Sequence, residues 1–258
     1  MHPCAIIPAY RAARTVADVV RETRAFWPVP DAVFVVDDGS TDGTGDLARS
    51  AGAIVLSHPT NRGKGAALRT GMAHALKQGF DVAVTLDADA QHPPKEAARL
   101  AMLENDPQAL VLGIRDLVRA GAPRANQISN RISNFYLSLY TWKILADTQC
   151  GLRRYPLAAT LALGGRDDGY AYEAEIIMRA IAADVPIIEE PIDVIYPPAD
   201  ERISHFDAVR DPMRIIRRVV STMVDVRLHP VKIPPSKQPS PSVDRISRDV
   251  SRENLAGL

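Results

Sequence analysis

Cysteine, aromatic residues and net charge are all scarce in this chain. Among its 258 residues there are 2 cysteines, aromatic residues make up 5%, and 31 basic side chains balance 31 acidic ones. Two cysteines provide neither a disulfide framework nor a Cys-x-x-Cys metal site, which indicates a reducing compartment, the cytoplasm. Because the charges balance, no overall field attracts nucleic acid, and we expect no nucleic-acid partner.

Long apolar runs are also lacking. No segment reaches the roughly 20 apolar residues of a transmembrane helix, and the longest candidate, from Phe135 to Ala146, contains Lys143. The amino terminus lacks the basic and then apolar pattern of a signal peptide. With 46% hydrophobic residues, the chain has enough apolar material for the core of one large α/β domain.

The chain does contain a regular alternation of short apolar runs and helical segments. We predict strands at 4–7, 32–36, 53–56, 82–86 and 110–113, with helices at 15–26, near 44–51, at 66–78 and at 95–105. Strands that alternate with such helices indicate right-handed βαβ units, and therefore an α/β fold with a mainly parallel sheet flanked by helices. Further helices are predicted at 128–146 and 172–183, and an extended segment at 187–194.

The carboxyl-terminal part of the chain has a different composition. A predicted helix over 207–228 carries apolar residues on one side and four arginines between positions 210 and 218 on the neighbouring face. Such a basic amphipathic helix lies either on a bilayer surface or against the sheet with its arginines outward, and the sequence leaves both possibilities open. The segment 229–258, rich in proline, serine and alternating charges, is predicted to be disordered.

Two carboxylates two residues apart form the most informative motif. Asp87 and Asp89 follow the apolar run 82–86. In a strand, residues i and i+2 project to the same side, so both carboxylates can converge on one cation. Two carboxylates suit Mg²⁺ or Mn²⁺ completed by phosphates, whereas zinc would prefer more histidine or cysteine. The structural alternative is a turn or helix cap before the two prolines that follow.

A second acidic pair, Asp37-Asp38, ends the apolar run 32–36. Carboxylates at strand ends bind the sugar of nucleotides in related α/β folds, so two strands that end in acids suggest a site at the carboxyl edge of the sheet. An Asp-Gly turn, with one of the residues 40–42 capping the next helix, explains the same segment equally well.

Cationic side chains follow the same strands. Lys64 lies in the segment 61–65, which is either an anion cradle at a helix amino terminus or a flexible loop with solvated cations. Arg115 directly follows a predicted strand, and Arg124 and Arg131 come soon after it. Guanidinium groups bind phosphate in a fork, although surface exposure is the ordinary alternative for each arginine.

Five motifs occur in a fixed order: Pro8-Ala9-Tyr10, Val36 to Thr44, Asn61 to Ala67, Asp87 to Pro94, and Asp147 to Arg153. The ordered set resembles the inverting family 2 glycosyltransferases, specifically the dolichyl-phosphate mannose synthase-like, polyprenyl-phosphate branch, over residues 5–198. This resemblance implies a GT-A fold in one domain over 1–206, with a nucleotide-binding half over about 1–115 and an acceptor half over about 116–206. It also implies a GDP-mannose or UDP-hexose donor and a divalent cation, Mg²⁺ or Mn²⁺.

The resemblance implies roles for particular residues. The implied metal ligands are Asp87, Asp89 and Gln91. The implied nucleotide-sugar contacts are Pro8, Tyr10, Asp37, Asp38, Lys64, Asp87, Ala88, Asp89, Gln91 and Arg202. The implied contacts to an acceptor phosphate are Arg115 and Arg131. The predicted catalytic residues are Asp89, which lies in one of these motifs, Arg115, which is one of the implied phosphate contacts, and Glu175, whose candidacy comes from its position in the chain and not from the resemblance.

Glu173 and Glu175 begin a predicted helix, where they either interact with the helix dipole or supply a general base to an alcohol acceptor. A phosphate acceptor needs no strong base, because its second pKa is about 6. A lipid-phosphate acceptor would place the protein peripherally on the cytoplasmic face of a membrane.

Two other functions are compatible with these motifs. A sugar-nucleotide pyrophosphorylase also uses carboxylates and a metal, but it would carry a glycine-rich, arginine-containing loop after the first strand, where this chain has Pro8-Ala9-Tyr10. A non-catalytic nucleotide-sugar-binding scaffold is the second alternative. It is suggested by Arg11-Ala12, which stand where the family usually has Asn-Glu and so remove a carboxylate expected at the base.

Overall fold

The computed structural model of the chain describes residues 1–104, 106–196, 210–231 and 233. The strands of this described part are β1 (Pro3–Ala9), β2 (Val33–Asp37), β3 (Ile54–Ser57), β4 (Val82–Thr85), β5 (Leu110–Arg115), β6 (Arg153–Pro156) and β7 (Ile187–Ile192). Its helices are α1 (Val16–Phe26), α2 (Thr44–Ser50), α3 (Lys64–Lys77), α4 (Pro94–Ala101), α5 (Arg124–Thr141), α6 (Leu157–Ala162), α7 (Ala171–Ala182) and α8 (Arg210–Leu228).

The strands form one sheet in the order β3-β2-β1-β4-β6-β5-β7. β6 runs antiparallel to both of its neighbours, and all other pairs are parallel. The predicted α/β fold with a mainly parallel sheet is therefore confirmed. The chain proceeds outward from β1 to β3 and then returns to β4 on the other side of β1, and such a switch point opens a crevice at the carboxyl ends of the strands.

The centre of the sheet is buried on both faces. Every residue of β2 and β4 is buried, as expected for parallel strands covered by helices. α1 packs against α2 and α4, while α3 packs against α6 and α7. Pro8 is accommodated inside β1 because it lies beyond Ile6, the last residue of β1 in register with β4.

Strand β6 is an element that the sequence analysis misses. Its Arg153 and Arg154 are fully buried, and their guanidinium groups donate to backbone carbonyls, for example to that of Cys150 at 2.8 Å and that of Asp106 at 3.0 Å. Two adjacent arginines do not resemble a buried strand in a sequence. Because β6 is antiparallel, the segment that precedes it arrives at the carboxyl edge of β4.

Helix α8 occupies much of the predicted helix 207–228, and residues 207–209 lie outside the described part. It packs on α7, where Arg179 of α7 pairs with Asp225 of α8 at 2.6 Å. Arg218 pairs with Asp167 at 2.9 Å. Of the two possibilities left open by the sequence, these contacts favour packing on the protein. The predicted disordered tail lies outside the described residues, apart from its first few positions.

In the described residues, no helix combines the length and the apolar character needed to cross a bilayer.

Candidate active site

The motif of Asp87 and Asp89 lies in a turn and not in a strand. β4 ends at Thr85, Ala88 and Asp89 are turn residues, and Ala90 has a φ of 63°, in the left-handed region. The strand alternation predicted for the two carboxylates is therefore wrong. In this turn, burial and then the charge of the nearby Asp87 raise the pKa of Asp89 to about 6.

Asp87 shares the ammonium group of Lys64 with Glu173. Nζ of Lys64 lies 2.7 Å from Oδ1 of Asp87 and 3.1 Å from Oε2 of Glu173. Burial by itself raises the pKa of Asp87, but the charge of Lys64 outweighs it, with help from His92, and the pKa falls to about 2. Burial likewise lowers the pKa of Lys64, and the two carboxylates raise it above the usual value. Asp87 is thus ionised and already compensated.

The segment before β6 encloses the Asp87 carboxylate. The hydroxyl of Thr85 donates to the carbonyl oxygen of Gly151 at 2.7 Å. The Cα of Gly151 lies so close to Asp87 that a Cβ at this position would overlap Oδ2. Behind the carboxylate, burial lowers the pKa of His92 to about 4, so its ring is neutral near pH 7.

We expect Gly151→Ala to weaken nucleotide-sugar binding at least about tenfold, a loss of about 1.4 kcal/mol, in a chain that still folds. The added Cβ forces Asp87 to move away from Lys64. Calorimetric titration with the donor measures this effect. Gly169→Ala is the matched control, because its Cβ would meet nothing closer than Oδ1 of Asp167 at 3.4 Å. Equal affinities in the two variants would contradict a donor-binding role for Asp87.

The charge of Asp87 is compensated by the ammonium group of Lys64, whereas the charge of Asp89 has no such partner in the described part of the chain. Oδ1 of Asp89 accepts a hydrogen bond from the backbone N–H of Gln91 at 3.0 Å, and the carboxylate forms no ion pair with a side chain of the described residues. The carbonyl oxygen of Gln91 in turn accepts from the N–H of Ile195 at 2.8 Å, which fixes the end of the turn. An undercompensated carboxylate next to a second one is a donor set that fits a divalent cation.

The described residues hold no group of three or more histidine, cysteine, aspartate or glutamate side chains suited to a metal ion. A cage made of protein alone is therefore not available in this part of the chain. The donor set fits an ion whose remaining ligands come from water and substrate phosphates, as is usual for Mg²⁺.

Asp38 organises the loop before α3. Its carboxylate lies 2.6 Å from Nδ1 of His58 and accepts from the backbone N–H groups of Arg62 at 3.0 Å and Gly63 at 2.7 Å. Asp37 accepts from the N–H of Ser40 at 3.1 Å. Both acids have internal partners, and their direct contact with a nucleotide stays a prediction.

The loop that carries Lys64 is held from a second side. The N–H of Ala66 donates to the carbonyl oxygen of Asp168 at 3.2 Å. A Cβ at Gly63 or Gly65 would overlap the carbonyl oxygens of residues 168 and 167, so both positions require glycine for this close approach. These contacts argue against the flexible-loop alternative at positions 63–65, and Lys64 enters the site as the first residue of α3.

Pro8 and Tyr10 lie at the carboxyl end of β1, on the same edge of the sheet as Asp37 and Asp87. Both are partly buried, and the guanidinium carbon of Arg11 lies 5.3 Å from the centre of the Tyr10 ring. The backbone of Ala88 is held in place, because its carbonyl oxygen accepts a hydrogen bond from the hydroxyl of Thr15 at 2.6 Å. Contact of these residues with a nucleotide stays a prediction.

Arg115 forms a two-point ion pair at the end of β5. Its Nε lies 2.7 Å from Oδ2 of Asp147, and its Nη2 lies 3.0 Å from Oδ1. The remaining Nη1 faces the hydroxyl of Tyr196 at 3.5 Å. The other predicted acceptor contact, Arg131, is exposed on α5. Arg202 lies outside the described residues.

Glu175 is not at the reaction site, which corrects its predicted catalytic role. The side chain is fully buried, and Oε2 accepts from the backbone N–H groups of Arg166 at 3.0 Å and Asp167 at 2.8 Å. Oε1 pairs with Arg179 at 2.9 Å. Because the helical period separates positions i and i+2, it is the neighbouring Glu173 that faces Lys64.

We expect Glu175→Gln to lower the free energy of unfolding by about 3 kcal/mol, because it breaks a buried hydrogen-bonded ion pair. Chemical denaturation measures the change. Transfer per folded molecule should stay within a few-fold of the unmodified chain. A large fall in turnover without loss of stability would instead restore Glu175 as a general base.

Sequence reasoning gave Asp147 and Gly151 no individual role, although both lie in a motif that it singled out. Their positions at the site depend on the antiparallel β6, and nothing in the sequence announces that strand.

Comparison with known proteins identifies a matching family model and several relatives. The sequence model of glycosyl transferase family 2 matches residues 4–159. The UDP-N-acetylglucosamine–dolichyl-phosphate N-acetylglucosaminyltransferase of Methanococcus voltae is 29% identical over 74% of this chain and 84% of its own length. The polyprenol monophosphomannose synthase of Mycolicibacterium smegmatis is 30% identical over 72% of this chain and 75% of its own length.

Solved structures agree on the fold. Mannosyl-3-phosphoglycerate synthase from Rubrobacter xylanophilus superimposes with a TM-score of 0.67 at 20% identity, covering 93% of this chain and 79% of the other. Glucosyl-3-phosphoglycerate synthase from Mycobacterium tuberculosis, in complex with Mn²⁺, UDP-glucose and phosphoglyceric acid, gives 0.67 at 20% identity, with 87% and 79% covered. The predicted GT-A fold is confirmed. The chain belongs to glycosyl transferase family 2.

Proposed function

We propose that this protein transfers a hexose, with inversion, from a nucleotide-diphosphate sugar to a polyprenyl phosphate or another lipid-linked acceptor. The observation that carries the proposal is the meeting of Asp87, Asp89 and Lys64 at the switch point of the sheet. The two carboxylates at this edge suit a divalent metal ion, and the ammonium group suits the diphosphate of a donor bound with that ion. GDP-mannose and UDP-hexoses are the candidate donors. Curated relatives named for dolichyl phosphate and polyprenol support the acceptor class.

The reaction is a direct displacement. An oxygen of the acceptor phosphate attacks the anomeric carbon from the side opposite the diphosphate, the new C–O bond forms, and the nucleoside diphosphate leaves. The phosphate is largely ionised at neutral pH, so the step needs no general base. The absence of Glu175 from the reaction site accords with this mechanism.

Asp89, with the carboxylate of Asp87 and the amide of Gln91, would hold the divalent cation, Mg²⁺ or Mn²⁺. When bound, the ion neutralises charge that develops on the leaving diphosphate. Lys64 keeps Asp87 ionised and in place at 2.7 Å. Arg115, oriented by Asp147, and the exposed Arg131 are proposed to attract the acceptor phosphate.

We also propose the domain arrangement and location expected from the sequence. Residues 1–206 form one catalytic domain, whose first half, about 1–115, binds the nucleotide and whose second half, about 116–206, binds the acceptor. The protein acts in the cytoplasm, peripherally on the cytoplasmic face of a membrane.

A donor screen tests the function. Nucleotide sugars are added with and without Mn²⁺, and the donor that raises the melting temperature is then incubated with a polyprenyl phosphate. We expect a glycolipid of inverted anomeric configuration. Tight donor binding without turnover on any acceptor would favour the scaffold alternative, and pyrophosphate release from a nucleoside triphosphate with a sugar phosphate would favour a pyrophosphorylase.

A further inference from the structure

Helix α5 and the loop after it expose a continuous apolar surface. The exposed side chains, called here the α5 surface, are Ile128, Ile132, Phe135, Tyr136, Leu139, Trp142 and Ile144. Trp142 is 91% exposed and Ile144 is 93% exposed. Trp142 also has a φ of 56°, which is rare for a bulky residue and turns the chain sharply at the end of the helix. An apolar surface of this kind on a folded protein indicates a binding partner.

The other side of α5 is bound to the protein. Leu137 is buried, Nε2 of Gln149 donates to Oγ of Ser129 at 3.1 Å, and Ser133 bonds to Thr148 at 2.8 Å. The exposed helical positions recur at intervals of three and four residues, so they share one face opposite these contacts. The helix is therefore anchored through one face and presents the other outward.

The segment that carries the α5 surface is rich in positive charge. The segment 117–146 contains Arg119, Arg124, Arg131 and Lys143 and no aspartate or glutamate, and all four cations are exposed. Two exposed carboxylates lie at its ends: Asp116 precedes it, and Glu189 accepts from the N–H of Ala146 at 2.7 Å. The chain as a whole is neutral, so this concentration of positive charge is local. Apolar and aromatic side chains flanked by arginine and lysine match the chemistry of an anionic bilayer surface.

We propose that the α5 surface docks on an anionic lipid bilayer, with Trp142 and Ile144 inserted into the headgroup region. A second copy of the chain fits less well, because a symmetric dimer through this face would bring two sets of four positive charges together. The basic amphipathic helix predicted over 207–228 is the other candidate for this contact, but the described part of α8 packs on α7.

Docking through α5 would also bring the bilayer close to the acceptor side of the site. The inner face of α5 binds the segment 147–149, and Asp147 of that segment orients Arg115. This link to catalysis, though not the docking itself, rests on the proposed function.

Vesicle binding by the full chain, without a donor, tests the proposal. We expect flotation with phosphatidylcholine–phosphatidylglycerol vesicles, weaker binding at high salt, and little binding to phosphatidylcholine alone. The chain has 2 tryptophans, and Trp27 is buried at 3% exposure. A blue shift of tryptophan fluorescence on binding therefore reports on Trp142.

Substitution of the triple set Phe135→Ser, Trp142→Ser and Ile144→Ser should lower vesicle affinity at least about tenfold. Phe26→Ser is the matched control, since Phe26 is an exposed aromatic residue on another helix, at 57% exposure. Lys143→Glu with Arg119→Glu should remove the preference for phosphatidylglycerol. Equal vesicle binding by the triple variant and the Phe26 control would overturn the proposal, and so would a dimer in solution that the triple variant converts to a monomer.

A short-chain, water-soluble polyprenyl phosphate separates this inference from the proposed function. The triple variant should glycosylate that acceptor at the normal rate and lose activity only on vesicle-borne acceptor. Vesicle binding that depends on the α5 surface, in a chain without transfer on any acceptor, would refute the proposed function and leave the docking surface in place. Transfer on the soluble acceptor, in a chain that does not bind vesicles, would support the proposed function and refute the docking surface.

Discussion

Asp89→Asn should lower sugar transfer by about a thousandfold, which corresponds to about 4 kcal/mol of transition-state stabilisation. Asp89 is the carboxylate of the motif that no lysine or arginine of the described residues neutralises by an ion pair, so it has the greatest capacity to hold a cation beside the donor. Asparagine keeps the shape and removes the charge. Initial rates with donor and acceptor measure the loss, and the Mn²⁺-dependent rise in melting temperature with the donor should disappear as well.

The same variant should be more stable than the unmodified chain when no metal is present. Burial and the charge of Asp87 raise the pKa of Asp89 from 3.8 to about 6. An acid whose pKa is higher in the folded chain destabilises folding once it ionises, so the cost is absent below about pH 4 and complete above about pH 6. Asparagine avoids that cost, and at pH 7 the free energy of unfolding should rise by on the order of 3 kcal/mol.

A matched control separates this effect from the loss of any aspartate. Asp46 is exposed and pairs with Arg49 on α2, so Asp46→Asn should leave both transfer and stability unchanged. Near-normal transfer by Asp89→Asn, with an intact response to Mn²⁺, would refute the metal assignment. A stability gain that persists at pH 3, where Asp89 is protonated, would show that burial and repulsion from Asp87 do not raise its pKa.

Much of the sheet could be predicted because parallel strands need apolar residues on both faces. The runs at 32–36 and 82–86 became β2 and β4 within about a residue, since no other element buries such short, continuous hydrophobic segments. The turn that follows β2 was recognisable from its acids and glycines, whereas the turn that follows β4 contains no glycine and was predicted to continue the strand. The location of the site at the carboxyl edge followed from the order of these elements.

The contacts that shape the site could not be predicted, because they join residues far apart in sequence. Asp38 holds the loop at Arg62 and Gly63, and the segment 167–168 packs on the same loop from the other side. Spacing alone could not decide between Glu173 and Glu175. The rotation of α7 relative to α3 decides it: Glu173 faces Lys64, and Glu175 points into the core.

Lys64→Met should have the second large effect, because it removes the cation that the carboxylates of Asp87 and Glu173 share. Nζ of Lys64 lies 2.7 Å from Asp87 and 3.1 Å from Glu173. Without it, these acids are left uncompensated, which costs about 3 kcal/mol of unfolding free energy at pH 7. Transfer should fall at least about a hundredfold, since Asp87 is no longer held in position for the donor. Urea denaturation and initial rates measure the two losses.

The pH dependence gives this variant a signature of its own. Lys64 holds the pKa of the folded-state Asp87 at about 2, below its ordinary value of 3.8. A lowered pKa stabilises the folded chain above the ordinary value, and that stability is lost as the pH falls through the lowered one. Without Lys64, burial raises the pKa of Asp87 above its ordinary value. The difference between the unmodified chain and Lys64→Met should therefore shrink toward about pH 2, grow as the pH rises through about 4, and become full only above the raised pKa of Asp87 in the variant. Lys77→Met, in the exposed last turn of the same helix, is the control and should show no such difference. A stability loss independent of pH would mean that Lys64 acts through packing of its alkyl chain, and the charge-sharing arrangement at the site would then be refuted.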